Sequence, residues 1–301
     1  MSDELTPDVL AWIQQVTGRD IQSARVLPGA TSSSVYGLVM GNGKRPLRLV
    51  LRLFTNKEWL AEEPRLAQQE ADCLNKAQAL DVPTPAVVAV DSDGRYCHHP
   101  AILTTHLPGH IQLNPDNLFD WLDKLAATLA TIHTLPADDF PWPYMSWLDR
   151  DELHIPPWTH SPQAWQKAIE IISQPEPIEP MIFIHRDYHP TNVLWQGGQI
   201  SGVVDWVNGC RGPVSVDISH CRGNLFKMYG LAAADHFLAA YQTYAPTPFS
   251  YNPYWDLATV LDTLPEPIIY PPWRHFGLPI PTLSVMYQRV DDFLITAVAK
   301  L

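Results

Sequence analysis

The chain has 301 residues, 46% of them hydrophobic and 17% charged, which is typical of a soluble globular protein long enough for two lobes. Its formal net charge of -12 argues against a nucleic-acid partner, because phosphate backbones favour basic surfaces. No apolar run approaches the roughly 20 residues that span a bilayer, so we predict no membrane partner.

Two features of the sequence predict a cytoplasmic protein. The N-terminus, Met1-Ser2-Asp3-Glu4, is acidic and lacks the basic-then-apolar order of a signal peptide. The four cysteines are widely spaced without a CxxC pair, so we expect reduced thiols and neither disulfides nor a zinc site built from them. The acidity also suits a cationic substrate, although solubility alone explains such a charge in many proteins.

The first hundred residues predict a mostly antiparallel sheet with one main inserted helix. A short helix over Pro7–Val16, capped by Thr6, comes first. The β-like runs that follow are Ile21–Leu27, Ser34–Met40, Leu47–Phe54, Ala86–Val90 and Ala101–Thr105. The turn Gly41-Asn42-Gly43 joins the second run to the third, as a hairpin requires. The main helix is predicted over Glu63–Leu80, between the third and fourth runs.

The cluster Leu107-Pro108-Gly109 marks our predicted boundary between an N-terminal lobe, 1–106, and a C-terminal lobe, 107–301. Beyond this boundary the apolar spacing is helical, and one helix face is formed by Leu122, Leu125, Leu129 and Ile132. Further helices are predicted near 215–228, 231–244, 252–263 and 284–299. The sequence therefore predicts an α+β fold with an N-terminal antiparallel sheet and a larger, mostly helical C-terminal lobe.

Three polar residues follow the short apolar strand Met181–Ile184. Asp187 comes first, Asn192 follows five residues later, and Asp205 follows thirteen residues after that. Phosphoryl transfer from ATP requires an acceptor hydroxyl held in line and metal ions that neutralise the phosphates. Magnesium prefers oxygen ligands, which Asp and Asn supply. Two β runs around Gly197-Gly198 predict a hairpin that returns the chain, so we expect Asn192 and Asp205 to converge on one metal site.

The segments that carry these residues resemble those of the aminoglycoside phosphotransferase family, whose relatives include choline kinases. His185–Asn192 resembles the catalytic loop of that family, and Val203–Trp206 resembles its metal-binding segment. Gly212-Pro213 and Val216–Ile218 resemble its downstream signature. The resemblance implies a two-lobed, protein-kinase-like fold. It also implies an ATP- or GTP- and Mg²⁺-dependent kinase that phosphorylates a hydroxyl group of a small molecule.

The resemblance implies a role for each matched residue of the C-terminal lobe. Asp187 is implied as the catalytic base or as the group that orients the hydroxyl. Asn192 and Asp205 are implied as magnesium ligands, and Asp217 as a buried support of the catalytic loop. We expect His185 to support the same loop as a packed residue, with a proton shuttle as the alternative.

Some roles in the catalytic loop stay open. His189 occupies the place where protein kinases carry a phosphate-contacting Lys, so a phosphate contact and a structural role are both possible. Arg186 replaces a residue that is commonly small in the family, and it could pair with a local carboxylate or contact phosphate. The spacing of His185, Asp187 and His189 also suits a zinc hydrolase. Such an enzyme needs further ligands, and the other histidine pair is His98-His99.

The N-terminal lobe carries segments that resemble the nucleotide-binding parts of the family. The segment from Leu27 to Tyr36 resembles the hairpin that covers the phosphates, with one glycine where many relatives have two. Serine hydroxyls and backbone N–H groups must then make the contacts. The resemblance implies nucleotide contacts by Gly29, Ser32 and Ser33.

Two further segments complete the implied nucleotide site. Leu49–Arg52 resembles the third strand, which supplies a cation to the nucleotide phosphates, and here that cation is Arg52. Glu70 on the following helix is positioned to pair with it. The segment around Thr105 and Leu107 resembles the hinge, whose backbone holds the adenine edge. We therefore assign nucleotide binding to residues 1–106, and catalysis and acceptor binding to residues 107–301.

The acceptor pocket is predicted among the C-terminal helices and Pro-rich loops, with Asp262, Glu266, Tyr270 and Trp273 as candidates. Carboxylates suit an amino sugar or another amine, and aromatic side chains suit cation–π contact or a macrolide. The same aromatic residues could equally pack the core. Family resemblance favours an aminoglycoside-like amino sugar. A macrolide, an amino alcohol and a metabolic sugar are alternatives, and a nucleotide-binding pseudokinase is the alternative of another class.

Overall fold

The computed structural model describes residues 5–28, 32–41, 46–267 and 269–301. The chain divides into two compact units. The first comprises Met1–Gly109 with Ser201–Gly209, and the second comprises His110–Ile200 with Cys210–Leu301. The assignment of nucleotide binding to residues 1–106 and of acceptor binding to residues 107–301 stays a prediction.

Helix α1 (Pro7–Thr17) opens the first unit, where the sequence predicts a helix. The Thr6 side chain accepts a hydrogen bond from the Val9 N–H at 3.4 Å and thereby caps the helix. Gly18 ends the helix in the left-handed conformation, at φ 64°. The apolar residues of α1 that pack against the sheet of this unit are Val9, Trp12 and Ile13.

An antiparallel sheet forms the body of the first unit. Its strands are β1 (Ile21–Val26), β2 (Ser34–Met40), β3 (Leu47–Leu53), β4 (Val87–Asp91) and β5 (Ala101–Thr105). They lie in the order β1-β2-β3-β5-β4, and each strand runs antiparallel to its neighbours. Of the predicted hairpin turn Gly41-Asn42-Gly43, Asn42 and Gly43 lie outside the described residues.

The sequence predicts a single helix over Glu63–Leu80, and the predicted first residue of this helix is wrong. The structure has a short helix α2 (Lys57–Glu62) and a separate helix α3 (Leu66–Ala77). Between them Glu63 leaves the helical region, at φ -126° and ψ 79°. The physical reason is Pro64, because a proline disfavours the helical conformation of the residue before it.

The second unit is mostly helical in its described residues. Its helices are α4 (Leu118–Ile132), α5 (Pro162–Ile172), α6 (Val214–Tyr229), α7 (Leu231–Tyr244), α8 (Tyr254–Leu261) and α9 (Leu283–Val298). The predicted apolar face of α4 is fully buried, which confirms the helical spacing of Leu122, Leu125, Leu129 and Ile132.

Short strands and turns position the loops of the second unit. The strands that begin in it are β6 (His110–Ile111), β7 (Met181–Ile184), β8 (Val193–Gln196), β9 (Gln199–Val203) and β10 (Cys210–Pro213). Strand β7 pairs antiparallel with β10, and β6 pairs antiparallel with β8. Gly197 and Gly198 have φ of 58° and 74°, a geometry that suits the predicted tight turn between β8 and β9.

The elements together confirm the predicted α+β fold class, with an antiparallel sheet near the N-terminus and a helical C-terminal region. In the described parts of the chain, no helix is both long enough and apolar enough to cross a membrane.

Candidate active site

A buried carboxylate holds the loop that follows β7. Asp217, on the first turn of α6, is fully buried and accepts hydrogen bonds from the backbone N–H groups of His185 at 2.7 Å and Arg186 at 2.6 Å. His133 of α4 lies 3.1 Å from the same carboxylate. Burial acts to raise the pKa of Asp217, but His133 and His185 outweigh it and the net shift is downward. The loop is therefore anchored by an ionised side chain.

Asp187 projects from this loop into a group of polar side chains that we call the Asp187 cluster: Asp187, His189, Asn192 and His220. The His220 Nε2 lies 2.9 Å from Asp187 Oδ1, and the His189 Nε2 lies 3.5 Å from the same oxygen. Burial acts to raise the pKa of Asp187, but His189 and His220 outweigh it, so the net pKa is lowered. Asp187 is consequently an anion with one oxygen held by histidine.

Asn192 is oriented by the same loop. A 3₁₀ turn over Pro190–Asn192 begins after His189 and places the Asn192 side chain beside Asp187. The Nδ2 of Asn192 donates to the backbone carbonyl of Asp187 at 2.9 Å and approaches its Oδ2 at 3.2 Å. Because the amide nitrogen makes these contacts, the amide oxygen is left as an available ligand atom. The structure thus brings Asp187, His189 and Asn192 together, and the convergence of Asn192 with Asp205 on one metal site stays a prediction.

His220 is a member of the cluster that the sequence analysis missed. It lies on α6 three residues after Asp217, on the same helix face, since residues three apart are neighbours on a helix surface. The sequence therefore contained a signal for His220. Asp217 holds the loop, and a residue one helical turn after Asp217 faces the same loop. The ligand atoms of Asp187, His189 and His220 lie within 4.8 Å of one another, so these three side chains could also hold a metal ion.

The first unit contains a second polar group, the Arg52 cluster, formed by Ser33, Arg52, Glu70 and Asp205. The Arg52 guanidinium donates to both Glu70 oxygens at 3.0 Å, to Asp205 Oδ1 at 2.7 Å and to Ser33 Oγ at 3.0 Å. The predicted pair of Arg52 and Glu70 is therefore present. Asp205 has φ 65°, a left-handed value that is uncommon outside glycine.

Burial and charge act against each other in the Arg52 cluster. Burial lowers the pKa of Arg52, but Asp205 and Glu70 raise it by a larger amount, so the cation is retained. Burial raises the pKa of Glu70, and the Arg52 charge opposes this shift only in part. The cluster holds one cation between two carboxyl groups of the same unit.

The other predicted nucleotide-binding residues also fall in the first unit. Ser32 is half-buried just before β2. The hydroxyl of Thr105, at the end of β5, accepts a hydrogen bond from the Ala86 N–H at 2.9 Å. Leu107 follows β5 by two residues and is half-buried. Gly29 lies outside the described residues. The nucleotide contacts of all four residues stay predictions.

An open pocket lies in the second unit. Its lining includes Tyr144, Trp147, Arg186, His220, Trp255 and Asp262. The segment that carries Tyr144 and Trp147 belongs to the Pro-rich loops that were predicted to help build the acceptor pocket, although neither residue was among the named candidates. His220 belongs to both the pocket lining and the Asp187 cluster, so the pocket lies directly beside Asp187.

The four predicted acceptor residues lie in different places. Asp262, just after α8, lines the pocket. The exposed Glu266 accepts a hydrogen bond from the Tyr287 hydroxyl at 3.4 Å. Trp273 exposes 2% of its surface and packs edge-on to Tyr270 at a centroid distance of 6.4 Å. Of the four predicted residues, Asp262 thus lines the same pocket as Arg186 and His220. Acceptor contacts by Glu266, Tyr270 and Trp273 stay predictions.

The fold and these clusters define a class of kinase-like proteins, and the comparison with known families agrees. Residues 23–254 match the Phosphotransferase enzyme family. The chain belongs to this family, which confirms the resemblance inferred from the motifs.

The relatives differ in how much of this chain they match. A homoserine kinase of Methylocella silvestris is 30% identical over 160 residues, covering 48% of this chain and 48% of that protein, so the match spans about half the length of the curated relative. Two solved structures share the fold. A spectinomycin phosphotransferase bound to ADP and spectinomycin has a TM-score of 0.63 at 10% identity and 100% coverage of both chains. The macrolide 2'-phosphotransferase of Brachybacterium faecium has a TM-score of 0.57 at 17% identity, covering 84% of this chain and 88% of that one.

Proposed function

We propose that the protein transfers the terminal phosphoryl group of ATP or GTP to a hydroxyl group of a small molecule, with Mg²⁺ as cofactor. The observation that carries the proposal is the Asp187 cluster, in which a half-buried, ionised carboxylate lies beside the Asn192 amide. The loop is anchored by Asp217 in a member of the Phosphotransferase enzyme family. A phosphotransferase needs an anion of this kind to orient the attacking hydroxyl.

Asp187 is proposed to accept a hydrogen bond from the acceptor hydroxyl and to receive its proton as the bond to phosphorus forms. The lowered pKa makes the carboxylate a weak base, so its first task is orientation, with proton transfer late in the reaction. His220 holds one carboxylate oxygen at 2.9 Å. The second oxygen, shared with the Asn192 amide, is then available to the hydroxyl.

Magnesium is proposed from the family resemblance. Asn192 would offer its amide oxygen and Asp205 its carboxylate, which are the kind of ligands that Mg²⁺ prefers. The bound ion would supply charge neutralisation on the nucleotide phosphates. Arg52 is proposed to bind those phosphates, with Glu70 fixing its guanidinium.

The remaining nucleotide contacts are proposed from the family resemblance. They comprise the hairpin residues Gly29, Ser32 and Ser33 over the phosphates and the backbone around Thr105 and Leu107 at the adenine edge. His189 supports Asp187 in the structure, and a phosphate contact is the second role proposed for it.

The acceptor is proposed to be a small hydroxyl compound that carries an amine. The net charge of -12 and the Asp262 carboxylate in the pocket both favour a cation. An amino sugar is the family expectation, an amino alcohol is an alternative, and the relative named homoserine kinase adds a hydroxyl-bearing amino acid.

A phosphorylation screen tests the proposal. Purified protein, Mg²⁺ and γ-labelled ATP or GTP are incubated with amino sugars, amino alcohols, macrolides and sugars, and we expect labelled product in at least one class. Nucleotide binding without phosphate transfer to any acceptor would contradict the proposal and favour the pseudokinase. Tightly bound zinc in the purified protein, together with the three-ligand group of Asp187, His189 and His220, would favour a hydrolase instead.

Replacing Arg52 by Gln is expected to raise the KM for the nucleotide by roughly 10- to 100-fold. The variant loses the cation proposed to bind phosphate and leaves Glu70 and Asp205 without their shared partner. Steady-state kinetics at varied nucleotide concentration measures the effect, with thermal melting as a check on folding. The matched control is Arg48→Gln, an exposed arginine on the same strand. An unchanged KM in a folded Arg52 variant would refute the assignment.

Replacing His220 by Ala is expected to lower kcat by roughly 10- to 100-fold with little change in the KM for the nucleotide. The Asp187 oxygen loses its donor at 2.9 Å, so the carboxylate is less well oriented. His220 is thus a positioning residue, and His220→Gln, which keeps an N–H donor, should restore most of the loss. The exposed His154→Ala is the control. If Gln and Ala lower kcat equally, the hydrogen bond is not the reason.

A further inference from the structure

The guanidinium of Arg186 is a cation that faces the pocket of the second unit. Arg186 exposes only 8% of its surface and lines the pocket. Within the described residues its recorded partners are the Asp217 carboxylate, which its backbone N–H reaches, and two aromatic rings. The Asp262 carboxylate of the same pocket interacts with the Arg186 charge, but among the described residues no ion pair or hydrogen bond joins a carboxylate to the guanidinium. A desolvated charge of this kind is costly unless an anion pairs with it.

Two aromatic rings contact this guanidinium. Its central carbon lies 3.6 Å from the ring centroid of Trp147 and 5.0 Å from that of Tyr144, distances of a cation–π contact. The N–H groups of a guanidinium form a planar fork that matches a carboxylate. The backbone is held as well, since Arg186 has φ 71° and its N–H is bound at 2.6 Å.

The same pocket is lined by the Asp262 carboxylate and by the His220 imidazole. His220 contacts the carboxylate of Asp187, the proposed catalytic residue, at 2.9 Å. Partial desolvation raises the pKa of Asp262, and the charges of Arg186, His220 and Lys227 oppose that shift. The pocket therefore presents one cation and one carboxylate next to the position proposed for the reacting hydroxyl.

The charges that line the pocket favour an acceptor with charges of both signs. Such a molecule can place an anion at Arg186 and a cation at Asp262, whereas a polycationic, multi-ring amino sugar brings no anion for Arg186.

We propose that the acceptor is a hydroxyl-bearing amino acid, whose carboxylate binds the edge of the Arg186 guanidinium and whose ammonium group faces Asp262. This inference rests on the proposed phosphotransferase function. The side-chain hydroxyl oxygen forms a bond to the γ-phosphorus of ATP, and the bond from that phosphorus to the β–γ bridging oxygen breaks. The hydroxyl proton goes to Asp187, ADP leaves, and the product is a phosphate monoester.

Matched acceptors with and without a carboxylate test the inference. The pairs are homoserine with 3-amino-1-propanol and serine with ethanolamine, and kanamycin represents the amino sugars. We measure kcat/KM for each acceptor, and the KM for ATP, in the native protein, Arg186→Gln, Arg186→Lys and the exposed control Arg95→Gln. The native protein should prefer the carboxylate member of at least one pair. Arg186→Gln should lower kcat/KM for that amino acid by roughly 10- to 100-fold and leave the amino alcohols and the KM for ATP unchanged.

The variants and acceptors distinguish a failure of this inference from a failure of the proposed phosphotransferase function. Arg186→Lys keeps the charge without the fork and should give an intermediate loss, and thermal melting identifies any variant that does not fold. Transfer to kanamycin or the amino alcohols but not to the amino acids would overturn the inference and leave the proposed function standing. An equal loss for both members of a pair, or a raised KM for ATP, would also overturn it. Nucleotide binding with no transfer to any compound would overturn the proposed function itself.

Discussion

Replacing Asp187 by Asn is expected to lower kcat on the order of 10³-fold or more while nucleotide affinity stays close to that of the native protein. The substitution keeps the shape of the side chain and removes its charge. The amide can no longer receive the hydroxyl proton, and it places an N–H group against His220 or Asn192, which both donate to the native carboxylate. Product formation measures turnover, and calorimetric titration measures nucleotide affinity.

The control for this variant is Asp139→Asn, an exposed aspartate in a loop of the same unit. It should match the native protein in both measurements. Turnover that survives in Asp187→Asn would remove the central group from the proposed mechanism. A collapse of nucleotide affinity would instead indicate that Asp187 acts on binding, because a hydroxyl-orienting residue affects the chemical step.

The parts of the fold and site that the sequence could predict are those encoded by short segments. The apolar face of α4 repeats every three to four residues, so its burial follows from the spacing of Leu122 to Ile132. Asp187 and Asn192 are five residues apart on one loop, and a local turn is enough to bring them together. The pair of Arg52 and Glu70 required more, since it joins a strand to a helix, and the family resemblance supplied that information.

The rest depends on contacts between distant segments. His220 is 33 residues from Asp187 in sequence, and its place three residues after Asp217 on α6 is the one signal that it faces the loop. Trp147 contacts Arg186 from a Pro-rich segment without periodicity, so this contact with the guanidinium could not be foreseen. Trp273 is 2% exposed, as large apolar residues commonly are, and its contact with an acceptor stays a prediction.

Replacing Asp217 by Ala is expected to lower the free energy of unfolding by about 3 kcal/mol at neutral pH. The variant leaves two buried N–H groups, of His185 and Arg186, without an acceptor and removes one of the two side-chain partners of His133. Urea denaturation of both proteins measures the difference. The exposed Asp292→Ala on α9 is the matched control and should change stability little.

The pH dependence distinguishes this charge effect from a loss of packing. The pKa of Asp217 is lower in the folded than in the unfolded protein, so at acidic pH the unfolded chain binds more protons. The stabilisation is fully present above the ordinary aspartate range, roughly pH 4, and is lost as the pH falls through the folded value. The difference between native protein and Asp217→Ala should therefore shrink at acidic pH. A difference that is constant with pH would show that Asp217 stabilises the loop by shape alone, and Arg186 would then owe its left-handed backbone to packing rather than to the carboxylate.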